Sequence, residues 1–194
     1  MIKSRRKTTT KTQKIFGDFL RKSNLDVTRL NLTLAIFRKM WYHVDTEGGN
    51  KMKKSINFDM DGTIADLYGV EGWLEDLLHE DVRPYAEARP LVNLQRLARL
   101  LNKLIREGYS VNVISWTSRN GSAEYNKAVA KVKIQWLETH LHSVKFERIE
   151  ILPYGTPKEL FGEGILFDDE EHNRKSWGEG AYTEKEIFEV LKNL

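Results

Sequence analysis

The chain contains no cysteine. That excludes a disulfide framework and any thiolate-bound metal, and it makes a reducing cytoplasm the expected location. Long apolar runs are missing too. A membrane-spanning helix needs ~20 apolar residues, and the nearest stretch, Leu30 to Val44, is interrupted by Asn31, Arg38 and Lys39. No membrane partner is expected. The first fourteen residues, MIKSRRKTTTKTQK, hold no acid and lack the apolar segment of a secretory signal. The five histidines (His43, His79, His140, His142, His172) are scattered without ligand spacing, so none is assigned to metal binding or catalysis.

What the chain does have is charge, unevenly spread. Residues 1–51 carry twelve Lys and Arg against four acids, a net +8. The remainder carries nineteen against twenty-four, a net −5. A basic arm can touch nucleic acid, but a solvated tail is the simpler reading, so nucleic acid is not an expected partner. The polar stretch Asp45 to Lys51, with Gly48-Gly49, is the best boundary in the chain. It separates a basic extension, residues 1–51, from one domain, residues 52–194. At 194 residues and 40% hydrophobic content the chain supports one full core. Residues 1–14 read as disordered and 15–44 as partly helical. The charge flip and the purine-rich codons available to Glu47-Gly48-Gly49 suggest a natural start at Met52.

Beyond the boundary the pattern alternates. Ser55 to Phe58, Ser110 to Ser115, Arg148 to Leu152 and Ile165 to Phe167 read as strands. Arg89 to Glu107 reads as a helix with Pro90 in its first turn, a stripe of Leu91, Leu94, Leu97, Leu101, Leu104 and Ile105, and Gly108 at its end. Ala123 to Leu141 reads as a second, with Val129, Val132, Trp136 and Leu137 inward. Thr183 and Glu186 make a capping box for a last helix. The expected fold is therefore α/β: a Rossmann-like parallel sheet flanked by helices, with a small helical cap inserted at about 64–88.

Ligands of open α/β sheets gather beyond the carboxyl ends of the strands. There the sequence places Asp59 and Asp61 after the first strand and Ser115 and Thr117 at the second. Lys158 follows the third, and Asp168 and Asp169 follow the fourth. Each alone is ordinary: an Asp after a strand is usually a turn or cap residue, and a lone lysine is usually surface. Together, four acids converging on one edge repel one another and call for a cation. Oxygen ligands without His or Cys favour magnesium over zinc.

FDMDGT after an apolar strand resembles the first motif of the haloacid-dehalogenase-like hydrolases. VNVIS, Lys158 and FDD are similar to their second, third and fourth motifs, so the resemblance covers residues 54–194. IQWLETHL and ILFDDEEHNRKSW are similar to the 5'(3')-deoxyribonucleotidase-like branch, although the stretch between the first two motifs is shorter here. The resemblance implies a magnesium-dependent phosphomonoesterase working through an aspartyl-phosphate. Asp59 would be the nucleophile and Asp61 the acid and base. Ser115, with Thr117 as its rival, and Lys158 would bind the phosphate. Asp59, the Asp61 carbonyl, Asp168 and Asp169 would hold the metal. A small phosphorylated substrate, such as a nucleoside monophosphate, is the implied partner. The alternatives are a nucleic-acid end phosphatase and a non-catalytic phosphate-binding module. Tyr68, Trp73 and Tyr85 in the insert offer stacking surfaces, though packing is their commoner use. Arg83 and Arg119 offer a grip on a second anionic group, though both read more simply as surface residues.

Overall fold

The computed structural model describes residues 54–194. The reading of 15–44 as partly helical and of Met52 as a start lies outside them. Five strands form one parallel sheet: β1 (Ser55–Phe58), β4 (Ser110–Trp116), β5 (Arg148–Leu152), β6 (Ile165–Phe167) and β7 (Ala181–Tyr182). Their spatial order is β5-β4-β1-β6-β7. The chain thus leaves central β1 for one side, then crosses to the other, and that reversal opens a crevice at the carboxyl edge. Alternate β4 residues serve two cores. Val111 and Val113 join Ile56, Phe58 and Leu97, Leu101 and Leu104 of α3 (Leu94–Arg106), together with Ile187 and Leu191 of α6 (Ile187–Lys192). Ile114 and Trp116 join Leu152 in a second core that Trp177 of α5 (Glu171–Trp177) packs against. Both faces of the sheet are therefore buried, as a parallel sheet requires.

All four expected strands fall where the apolar pattern places them, β4 running one residue further to Trp116, and the helix α4 (Ala123–His140) ends one residue before its expected limit. The capping box at Thr183 is present, with Glu186 Oε2 accepting from Thr183 N at 2.9 Å, although a 3₁₀ turn precedes α6. The helix read from Arg89 is a correction. Arg89–Pro90 is a short strand, β3, antiparallel to β2 (Ala65–Asp66), and α3 starts only at Leu94. Two facts decide it. Pro90 lacks an N–H and is tolerated on an edge, while Asn93 is a better cap than anything upstream, its Oδ1 accepting from Arg96 N at 2.9 Å. Asn93→Ala is therefore expected to cost about 1 kcal/mol in denaturant melts, and Pro90→Ala much less than that. Equal losses would return the helix start to Pro90.

The β2–β3 pair brackets a small insert carrying α1 (Trp73–Leu78) and α2 (Arg83–Glu87). Arg83 is internal to it, donating to the Glu71 carbonyl at 2.8 Å and pairing with Asp76 and Glu87. Between the two helices Glu80 has φ 58°, the sole non-glycine residue with positive φ among those described. This kink aims its carboxylate at the start of α4, where Ser122 N and Oγ donate to it at 2.6 and 2.8 Å. Tyr125 Oη donates to the Asp81 carbonyl at 2.9 Å, and Trp136 Nε1 to the Ala88 carbonyl at 2.7 Å. The insert is thus latched along α4.

Candidate active site

Phe58 and Phe167 are in register across β1 and β6. The residues that follow them, Asp59 and Asp168, therefore emerge side by side. Asp59, Asp168 and Asp169 each offer a carboxylate oxygen, and these oxygens lie within 4.8 Å of one another. The turn after Asp59 is built to allow this. Gly62 has φ 72°, and a Cβ there would collide with the Asp169 carboxylate and the Tyr68 ring. Thr63 Oγ1 accepts from Asp169 N at 3.1 Å, and Arg174 donates to the carbonyls of Asp168 and Asp169 at 2.7 and 2.6 Å.

Lys158 sits in a one-turn 3₁₀ segment (Lys158–Leu160) between β5 and β6 and is buried. Its Nζ lies 2.7 Å from Asp168 Oδ2 and 3.0 Å from Asp59 Oδ1. Burial pulls this ammonium down, but Asp59 and Asp168 outweigh it and hold it above the ordinary lysine value. Asp168 is buried and satisfied, accepting also from Glu170 N and Asn173 Nδ2. Its carboxyl is raised, first by burial and then by Asp59. Asp169 is raised to about 7 by burial and the charges of Asp59 and Asp168. Asp59 Oδ1 is buried and has the charge of Lys158 beside it but no aligned hydrogen bond.

A second buried lysine completes the cluster, and the sequence reading missed it. Lys133 on α4 is 1% exposed. Its Nζ donates to Asp61 Oδ2 at 2.6 Å, to the Trp116 carbonyl at 2.6 Å and to Ser115 Oγ at 3.0 Å, and lies 5.2 Å from the Tyr85 ring centre. The signal was there. Lys133 stands four residues from both Val129 and Leu137, on the inward stripe of its helix, where a lysine without a partner is costly. Burial raises the Asp61 carboxyl, and Lys133 lowers it in part.

The two hydroxyls expected here differ in their surroundings. Ser115 Oγ is engaged by Lys133. Thr117 Oγ1, just past the end of β4, is buried without a hydrogen-bond partner. Both line a cavity of about 460 Å³ that opens above Asp59 and Asp61. Tyr68, Trp73 and Arg119 line it as well, with Arg119 over the Tyr154 ring at 5.6 Å and Tyr68 edge-on to Trp73 at 5.1 Å. The expected site residues are therefore gathered at one edge.

No protein-family model matches the chain, and no curated protein matches it. Among the solved structures similar to it are the following two. The D,D-heptose 1,7-bisphosphate phosphatase from Burkholderia thailandensis is 11% identical, with a TM-score of 0.45 over 73% of this chain and 97% of that one. The HAD domain of effector protein Lem4 from Legionella pneumophila is 14% identical, with a TM-score of 0.35 over 73% of this chain and 94% of that one. Function is a property of the site and not of the fold. Among the described residues no helix is long and apolar enough to cross a membrane.

Proposed function

We propose that this chain is a magnesium-dependent phosphomonoester hydrolase of the haloacid-dehalogenase-like type. The observation that carries the reading is the cluster of three carboxylate oxygens within 4.8 Å, with a buried lysine against two of them. Three buried or half-buried acids exceed the charge of Lys158, and the all-oxygen donor set suits a hard cation of high charge density. Asp59, Asp168 and Asp169 would hold magnesium, which when bound polarises the phosphoryl oxygens.

The remaining work falls to side chains. Asp59 attacks phosphorus while the bond to the ester oxygen breaks, giving an aspartyl-phosphate. Asp61 gives the leaving oxygen its proton, then takes one from the water that opens the acyl phosphate. Burial raises the Asp61 carboxyl and so favours the proton-bearing form that the first step uses. Lys158 balances charge on the phosphoryl group. Lys133 fixes Asp61 and Ser115 relative to each other. For the phosphate-binding hydroxyl we favour Thr117 over Ser115, because Ser115 is already bound and Thr117 Oγ1 is free within the cavity wall. Thr117→Val is accordingly expected to lower kcat/KM by about 10²-fold, as for losing one preorganised donor, and Ser115→Ala by about tenfold or less, a loss on the scale of one modest hydrogen bond. The reverse order, read in steady-state kinetics, would restore Ser115.

The direct test is a screen of phosphate esters with magnesium and with excess chelator. Turnover that is unaffected by chelator would sink the metal assignment. The pH dependence sharpens it. A carboxyl raised to about 7 keeps its proton where the unfolded chain has lost it. It therefore adds stability at low pH that is lost as pH rises through about 7. A cation that needs the carboxylate must displace this proton. Magnesium affinity measured by calorimetry is expected to climb with pH until about 7 and then level off. A flat profile from acid to neutral pH would remove Asp169 from the site.

A further inference from the structure

Six large apolar side chains are exposed among the described residues: Tyr68, Leu74, Leu78, Leu91, Tyr154 and Leu194. Four of them, Tyr68, Leu74, Leu78 and Tyr154, line the cavity above the carboxylates. Exposed apolar groups scattered singly need no explanation, but their concentration at one opening does. Leu74 and Leu78 stand one turn apart on α1, a helix that buries none of its residues. They are not there to fill a core.

An ester seated with its phosphorus against Asp59 would carry its organic body into this opening, which Asp59 and Asp61 both line. The chemistry of the walls is then the chemistry that the body must match. A polyhydroxylated body would give up water to Leu74 and Leu78 and gain no hydrogen bond from them, although Ser118 and Asn120 stand elsewhere on the wall. A second phosphate would meet one cation, Arg119, among the wall residues beyond the carboxylates, against the acids Glu80 and Glu170. An apolar body meets leucine on the insert side and the Tyr154 ring, 4.9 Å from Trp116, on the sheet side.

Resting on the hydrolase reading above, we propose that the substrate is a monoester of an apolar body, aryl or branched alkyl, held between α1 and Tyr154. This turns away from nucleoside monophosphates, whose ribose would face leucine.

The experiment compares kcat/KM, with magnesium, for 1-naphthyl phosphate, glucose 6-phosphate, a nucleoside monophosphate and a phosphotyrosyl peptide. The naphthyl ester is expected to exceed the sugar ester and the nucleotide by about 10²-fold, the scale on which an apolar pocket sorts substrates. Leu74→Gln and Leu78→Gln, both at exposed positions, are each expected to lower the naphthyl-to-glucose ratio by about tenfold through KM, the worth of a largely covered leucine. Leu91→Gln, also exposed but away from the opening, leaves that ratio unchanged. A preference for the sugar ester or the nucleotide, or a ratio unmoved by both leucine variants, would overturn the inference. So would a peptide turned over far faster than the free aryl ester, which would make the rim a protein-docking surface. If none of the four is hydrolysed, the hydrolase reading itself fails and takes this inference with it.

Discussion

Asp59→Asn is expected to lower kcat by at least about 10⁴-fold, as for removing a covalent nucleophile, while the protein stays folded. The fold should survive because Asn keeps the volume, and Lys158 retains Asp168 at 2.7 Å as its charge partner. The cluster also loses one of three mutually repelling carboxylates. The metal-free Asp59→Asn protein should therefore melt at the same temperature as the parent or slightly above it, because it has one fewer buried charge to keep apart. Single-turnover kinetics and thermal melts in chelator check both halves. Parental turnover in this variant would end the nucleophile assignment.

Lys133→Met is the second large effect, and it separates two roles. The substitution leaves the Asp61 carboxylate, Ser115 Oγ and the Trp116 carbonyl without their shared donor. Breaking a buried pair by removing one partner costs about 3 kcal/mol at the lower end of the usual range, and Asp61, being partly exposed, belongs at that end. Activity should fall by ~10²–10³-fold, because a general acid that loses its anchor loses most of its alignment. Adding Asp61→Asn should recover much of the stability and none of the activity. That sign of coupling follows from neighbours in one network. A Lys133→Met protein that is less stable yet turns over normally would reduce Lys133 to a packing residue.

The sheet and the acids were legible because both are written locally. The short segments Ser55–Phe58 and Ile165–Phe167 are each followed directly by an aspartate, and the strands end there too. What was not legible depends on partners distant in the chain. Ala181–Tyr182 is a strand only because Leu166 and Phe167 lie beside it, and two residues carry no period. Pro90 reads locally as a helix start, and the pairing that makes it a strand residue comes from Ala65, far upstream. Lys133 is the instructive miss: an amphipathic stripe is read by its apolar members, so a lysine among them passes for a solvated neighbour. Its partner Asp61 is 72 positions away. The helix Glu171–Trp177, beginning just after the paired aspartates, was likewise not foreseen, because its apolar content is nearly confined to Trp177.

Ala65 faces Pro90 and Asp66 faces Arg89, so the chain enters and leaves the insert at a single clasp. A segment whose two ends are already pinned together can change length cheaply, since doubling a closed loop costs only about 0.6 kcal/mol. Residues between Leu67 and Ala88 thus behave as an exchangeable module. A replacement would have to supply a carboxylate for Ser122 and carbonyls for Tyr125 and Trp136, the three ties that register it on α4. Given those, recombination at the clasp exchanges the leucines over the opening while the carboxylates and both lysines keep their places, and selectivity becomes a property that can be transplanted separately from turnover.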